Sequence, residues 1–145
     1  MNRFKRWAEH EYNKKQRMIA VVFGGVLFWI AIPFFIMIAS FYIDQWLYFP
    51  KFYYGLINPV IGLVFMVGGW LFANWTVKVQ FTIGKGTPIP LMATQKLIVK
   101  GPYTYCRNPM TLGTDLFYMG VAIWLGSLSA IGLGLVYPVG ILIYI

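Results

Sequence analysis

Two long stretches of this chain carry no charge at all, residues 18–43 and residues 52–77, and they constrain its fold more than any other feature of the sequence. A helix of that length rises about 39 Å, enough to cross a hydrocarbon core of about 30 Å with some tilt. Both runs read as membrane spans. The first contains Pro33, which should kink the helix or loosen one turn. It is too long for the apolar part of a signal peptide, and no small-residue cleavage site ends it before the polar break at Asp44. Only 11% of residues are charged and 59% are hydrophobic, whereas soluble domains carry about a quarter charged residues.

Beyond Arg107 the only charge is Asp115. Residues 108–145 would make a single helix of about 57 Å, nearly twice the hydrocarbon thickness. The small, polar cluster Gly126, Ser127, Ser129 interrupts this segment near its middle and divides it into two short helices, about 109–125 and 128–145. The expected fold is all-α: a polytopic membrane protein with four transmembrane helices, the last two forming a tight helical hairpin. Residues 18–145 form one membrane domain, preceded by a basic tail over 1–17 and interrupted by a loop over 78–108.

The net charge of +8 is concentrated rather than spread. Arg3, Lys5, Arg6, Lys14, Lys15 and Arg17 lie in the tail, and Lys78, Lys85, Lys96, Lys100 and Arg107 lie in the loop. Only Lys51 lies between the two blocks. Short loops rich in Lys and Arg stay cytoplasmic, so both termini and the 78–108 loop are expected in the cytoplasm, with Asp44 and Lys51 outside. Trp46, Tyr48, Phe49, Phe52, Tyr53 and Tyr54 then form an outer interfacial belt. Charge reports topology here, and no nucleic-acid partner is expected. The tail also carries Phe4, Trp7 and Tyr12, as a helix lying on an anionic leaflet would, but a positive flank serving topology suffices to explain it. His10 is read as a solvated member of that tail. One His and one Cys, Cys106, exclude an intramolecular disulfide and the usual zinc constellations, and Cys106 is read as packing.

The 78–108 loop is where chemistry would reside, because connections of this length between helices are often functional. Gly84, Gly86, Pro88, Pro90, Gly101, Pro102 and Pro109 punctuate it. Asn108 followed by Pro109 is the sharpest local signal: Asn is a favoured N-cap and Pro is favoured at the first helical position. The third helix should begin there, its free amides and dipole offering, with Arg107, a site for a carboxylate or phosphate. An equally good reading is a plain helix start with Arg107 reaching lipid phosphates. Gly113 would let a ligand approach the backbone.

The stretches GKGTPIP and KLIVKGPYTYCRNPMTLG, followed by a tight pair of apolar helices, resemble the isoprenylcysteine carboxyl methyltransferase and phospholipid methyltransferase group of integral membrane enzymes. The resemblance covers about residues 84–145. It implies S-adenosylmethionine as cofactor, bound at the cytoplasmic interface, and a lipid or prenylated substrate entering from the bilayer. It places Gly101, Pro102, Tyr103, Arg107, Asn108, Pro109 and Gly113 in the cofactor pocket, with Tyr103 or Tyr105 packing or hydrogen-bonding there. Thr111 stands where many members carry an aromatic residue. Members also continue past the last helix into a tail of paired glutamates and tyrosines that completes the cofactor site, whereas this sequence ends on an apolar run over 140–145. The expectation is therefore a fragment or a chain that has lost half of that site. The second reading is a non-catalytic structural or assembly subunit of a larger membrane complex that keeps the fold, with partner membrane subunits.

Asp115 is the one ionisable group placed inside an expected span, and such residues are paired or functional. It is read first as a carboxylate paired near Thr111 and Arg107, and second as a catalytic candidate holding a polar substrate group or the sulfonium. Gly126, Ala130 and Gly134 give the fourth helix a small-residue stripe suited to close packing or to a partner's helix. Four spans with one internal carboxylate offer no polar pathway for a channel or transporter.

Overall fold

The computed structural model describes residues 13–84 and 98–144, with side chains described to residue 140. The tail through residue 12, His10 included, and residues 85–97, which hold all of the GKGTPIP stretch after Gly84, lie outside the described residues. All regular structure among the described residues is helical.

The first uncharged run forms one long helical rod, Lys14–Leu47, made of α1 (Lys14–Val26), a π-helical turn (Leu27–Ala31) and α2 (Ile32–Leu47). It begins four residues before the expected 18–43 span and ends four residues after it. Pro33 explains the wide turn. A proline offers no N–H, and just before it the Ile32 amide bonds five residues back, to Leu27 O. The Phe28 carbonyl thereby loses its usual partner, and the hydroxyl of Tyr118 donates to it at 3.1 Å. Tyr118 is wholly enclosed. Its ring meets Tyr137 edge-on at 5.5 Å and Phe117 at 6.2 Å, while Trp29 meets Phe117 at 4.9 Å. The loosened turn is therefore the point where the rod is fastened to the rest of the molecule.

The second run forms α3 (Ile57–Thr82), displaced about one turn from the expected 52–77. Residues 52–56 form a short irregular segment and turn ahead of it. The last two helices, α4 (Pro109–Leu125) and α5 (Leu128–Tyr144), form the expected hairpin. Gly126 closes α4 with a left-handed φ of 61°, a conformation glycine adopts without a steric penalty. At 17 residues each, α4 and α5 span about 25 Å, whereas the rod and α3 are long enough to cross a bilayer outright.

The closest helix approach is not along the stripe on α5 but between antiparallel α3 and α4. A Cβ added at Gly69 would lie 2.5 Å from Gly113 O, one at Gly113 would lie 2.7 Å from the Ala73 Cβ, and one at Gly120 would lie 2.6 Å from Met66 N. Gly62 and Gly69 on α3, like Gly113 and Gly120 on α4, are seven residues apart, the spacing that keeps one seam facing a partner helix. Gly134, on the expected stripe, has ordinary room at 3.6 Å from Tyr118. Ile36, Tyr118, Ala122 and Ala130 form the buried core where α2, α4 and α5 meet. Large apolar side chains elsewhere point outward, Phe23, Ile30, Phe35 and Val64 each more than 60% exposed. Such a surface suits a hydrocarbon surrounding.

Two polar clasps, at opposite ends, complete the fold. At one end Arg17 of α1 donates from Nη2 to Phe81 O near the C-terminus of α3 and stacks over the Phe81 ring at 4.4 Å. A cation is favoured at that pole of a helix, so this residue of the topological charge block is also a structural cap. At the other end Asn58 accepts from Tyr54 N and donates to both Phe52 O and Ile123 O, each at 2.9 Å. Phe52 N in turn donates to Gly126 O at 3.0 Å. Asp44 belongs to the same end. The sequence makes it a polar break facing outward, but the helix continues through it and leaves it only 6% exposed. Its Oδ1 accepts from Ser129 N at the start of α5, so the carboxylate serves as a cap supplied by another helix. The aromatic belt around this end is largely exposed, with Trp46 at 80% and Tyr48 at 91%, while Phe52 is partly covered.

Candidate functional site

The motif residues gather at the Arg17 end, where α3 finishes and α4 begins. The chain returns at Ile98 beside Gly84, whose added Cβ would lie 2.7 Å from the Ile98 side chain. It then enters a short 3-10 turn, Gly101–Thr104, opened by Gly101 at φ 64°. Gly101 lies against Trp75 and Val79 of α3. Thr104 Oγ1 donates to Gly101 O at 2.7 Å and Tyr105 N to Pro102 O at 3.2 Å, which lock the turn. Pro102 and Pro109 are both fully buried, so the prolines of the motif act as pegs holding the turn and the α4 start against the helices.

Asn108 is the N-cap, its Oδ1 accepting from Thr111 N at 3.3 Å, and Pro109 is the first helical residue. This matches the sequence signal. The cap also uses part of the expected anion site: Pro109 has no N–H, and the Thr111 amide is already bonded. Arg107, by contrast, is exposed. The capacity of this end to hold a carboxylate therefore rests on the guanidinium more than on the helix amides.

Tyr103 is partly buried beside the Gln80 side chain of α3 and near Cys106. Burial pushes its phenol up to about 12, opposed by a hydrogen bond from Gln80 and helped slightly by Cys106. The group is a neutral hydroxyl throughout the physiological range. Gln80 Oε1 is itself buried and lacks a well-formed partner, which marks it as a free acceptor at the site. Tyr105 is 75% exposed, an open ring beside Arg107 in sequence. Together these residues place a cation, an exposed aromatic face, a side-chain amide and a neutral hydroxyl at one end of the bundle. Gln80 and Trp75 were not legible as site residues, because they lie on the helix before the loop and nothing in their spacing distinguishes them from packing.

Gly113 is not part of this cluster. It lies one turn inside the α3–α4 seam, and the space its missing side chain leaves is filled by Ala73. Asp115 is also not paired as expected. No hydrogen bond or ion pair to Arg107 or Thr111 forms among the described residues, and its partly buried carboxylate leaves Oδ1 enclosed without a partner. Thr114 is satisfied within its own helix, donating to Met110 O and Thr111 O at 3.0 Å. Tyr137 of α5, unremarked in the sequence, comes in beside Thr111, Thr114 and Asp115. A small polar group thus lies about two turns below the α4 cap.

The family model for phospholipid methyltransferases matches residues 57–145, beginning on the first residue of α3 and taking in the glycine seam, the 3-10 turn, the Asn108 cap and the hairpin. No curated protein and no solved structure matches the chain. The match covers more than half of the sequence, and the chain belongs to the phospholipid methyltransferase family.

Proposed function

We propose that this protein is an S-adenosylmethionine-dependent methyltransferase acting on a lipid or prenylated substrate at the membrane end occupied by residues 101–109, with that end and both termini cytoplasmic. The observation that carries the reading is the coincidence, inside the family-matched region, of a locked 3-10 turn, a capped helix start and exposed Arg107 and Tyr105. Among the described residues, Lys14, Lys15, Arg17, Lys78, Lys100 and Arg107 lie at this same end and Lys51 alone at the other, and that asymmetry supports the orientation.

The cofactor supplies an electrophilic methyl group on a sulfonium. In this reading Arg107 holds the cofactor carboxylate, Tyr105 offers a ring face, and Tyr103 with Gln80 supplies a neutral hydroxyl and an acceptor. Asp115, unpaired and deeper in the bundle, favours positive charge on the bilayer side of the site. Methyl transfer of this kind depends on in-line positioning and exclusion of water, so a site with few ionisable groups suffices.

Binding of S-adenosylmethionine to the full chain in lipid nanodiscs tests the reading. Arg107→Ala should weaken it at least tenfold with unchanged thermal stability. A second reading, a structural or assembly subunit that keeps the fold and docks on partner membrane subunits, is favoured by Gly113 being closed off by Ala73 and by the Thr111 amide being taken. Absence of cofactor binding by the full chain would establish that reading over the first.

A further inference from the structure

A concavity lies at the opposite end from the motif. It is a cleft of about 420 Å³ walled by α2 and by the turn between α4 and α5, and Phe34, Met37, Ile38 and Leu125 give it an apolar floor and sides. A second concavity of about 440 Å³ continues it past the end of the helix, toward Gln45, Tyr48 and Phe49. The two share Phe41, Asp44 and Lys51 as a common wall. From Phe34 to Asp44 is ten residues of helix, about 15 Å, half of a hydrocarbon core of about 30 Å. The apolar cleft is thus as deep as one leaflet, with its only two formal charges at the outer rim.

Those charges are incompletely matched within the protein. Asp44 is nearly enclosed, its hydrogen-bond partner is the α5 amide of Ser129 with the Ser127 and Ser129 side chains close by, and a helix terminus offsets only about half a unit charge. Lys51 lies over the Phe41 ring at 5.9 Å and forms no direct ion pair with Asp44. Lys51 acts on Asp44 only through space, so the carboxylate at the membrane rim still favours a cation and the ammonium beside it an anion.

We propose that this cleft binds one zwitterionic phospholipid of the leaflet opposite the motif end, its phosphate at Lys51, its cationic nitrogen at Asp44, and one acyl chain along α2 between Phe34 and Phe41. The site is independent of the cofactor end. The α4 helix alone separates the two by about 25 Å.

Native mass spectrometry of the detergent-solubilised full chain with palmitoyl-oleoyl phosphatidylcholine tests the proposal, with phosphatidylglycerol and diacylglycerol of the same chains for comparison. A one-to-one phosphatidylcholine adduct should form, with phosphatidylglycerol binding at least threefold more weakly because Asp44 repels its unbalanced charge. Lys51→Gln, at an exposed position, should lower phosphatidylcholine occupancy at least threefold, and Met37→Trp, which fills the cleft, should abolish it. Cofactor binding should be unaffected in both variants, so failure here is separable from failure of the methyltransferase reading. Equal binding of all three lipids, unchanged binding by Lys51→Gln, or a homodimer that buries this face and persists at saturating lipid would each overturn it. Asp44→Asn is not used, because the carboxylate also holds the start of α5.

Discussion

Asn58 and Asn108 stand at opposite ends of the molecule and do opposite kinds of work. Asn108 was conspicuous in the sequence, since the Asn-Pro pair announces a helix start, yet it makes a single side-chain bond at a partly open site. Asn58, also followed by proline, is 3% exposed and ties three backbone groups from two separate segments. One end is built for access and the other for closure. The proposed methyl transfer would use both: a mouth with free polar groups, and a tied opposite end that holds the helices together.

The seam joining the two ends carries the largest expected effect. At Gly69 any side chain meets backbone atoms of Gly113 and Phe117 at 2.5 and 2.6 Å, so α3 and α4 must separate to admit it. Gly69→Leu should yield no folded protein, and Gly69→Ala should cost about 3 kcal/mol or more in reversible unfolding, at or beyond the usual cost of overpacking. A mild loss for Gly69→Ala would mean that the two helices are not in backbone contact and that each end is supported separately.

The clasp comes next. Asn58→Ala strands Tyr54 N and removes a donor from Phe52 O and Ile123 O, and should cost about 2–3 kcal/mol, the penalty for buried groups left unpaired. Asn108→Ala removes one cap bond and should cost about 1 kcal/mol. If chemical unfolding in detergent ranked the two asparagines the other way, the division into a closed end and an open end would be wrong.

Much of this division was hidden from the sequence for a physical reason. Helix existence was legible, because uncharged runs and the Asn-Pro start are local signals, and α4 and α5 begin and end close to where the residues place them. The glycine seam was visible as composition but not as geometry: Gly62, Gly69, Gly113 and Gly120 lie in different helices, and only the antiparallel register brings them face to face. Tyr118 looked like any aromatic residue in an apolar helix, and its role follows from a carbonyl freed two helices away by Pro33. At the candidate site, residues 101–109 stand out in the sequence because they are contiguous. Gln80 and Tyr137 do not stand out, because they come beside these residues from neighbouring helices. Gly113 was misread for the complementary reason, since its helix neighbour fills the space that the sequence left open.

The smallest effect concerns Tyr103 and separates the two ends by pH. Its phenol is raised from the usual 10 to about 12, chiefly by burial, so the folded state favours the neutral form. The sign follows from linkage: the stability it confers is fully present below pH 10 and is lost as pH rises from 10 through 12. Tyr103→Phe should therefore leave the melting temperature nearly unchanged at pH 7–8 and make its alkaline decline shallower than that of the parent protein. Other tyrosines and the lysines titrate in the same range, so the informative quantity is the difference between the two curves. In the same variants cofactor affinity should not vary between pH 7 and 9 through this residue, because a hydroxyl that stays neutral neither gains nor loses a charge there. Parallel alkaline curves for Tyr103→Phe and the parent would mean that the phenol is as open as Arg107, and that the motif end is a surface loop rather than a half-closed mouth against α3.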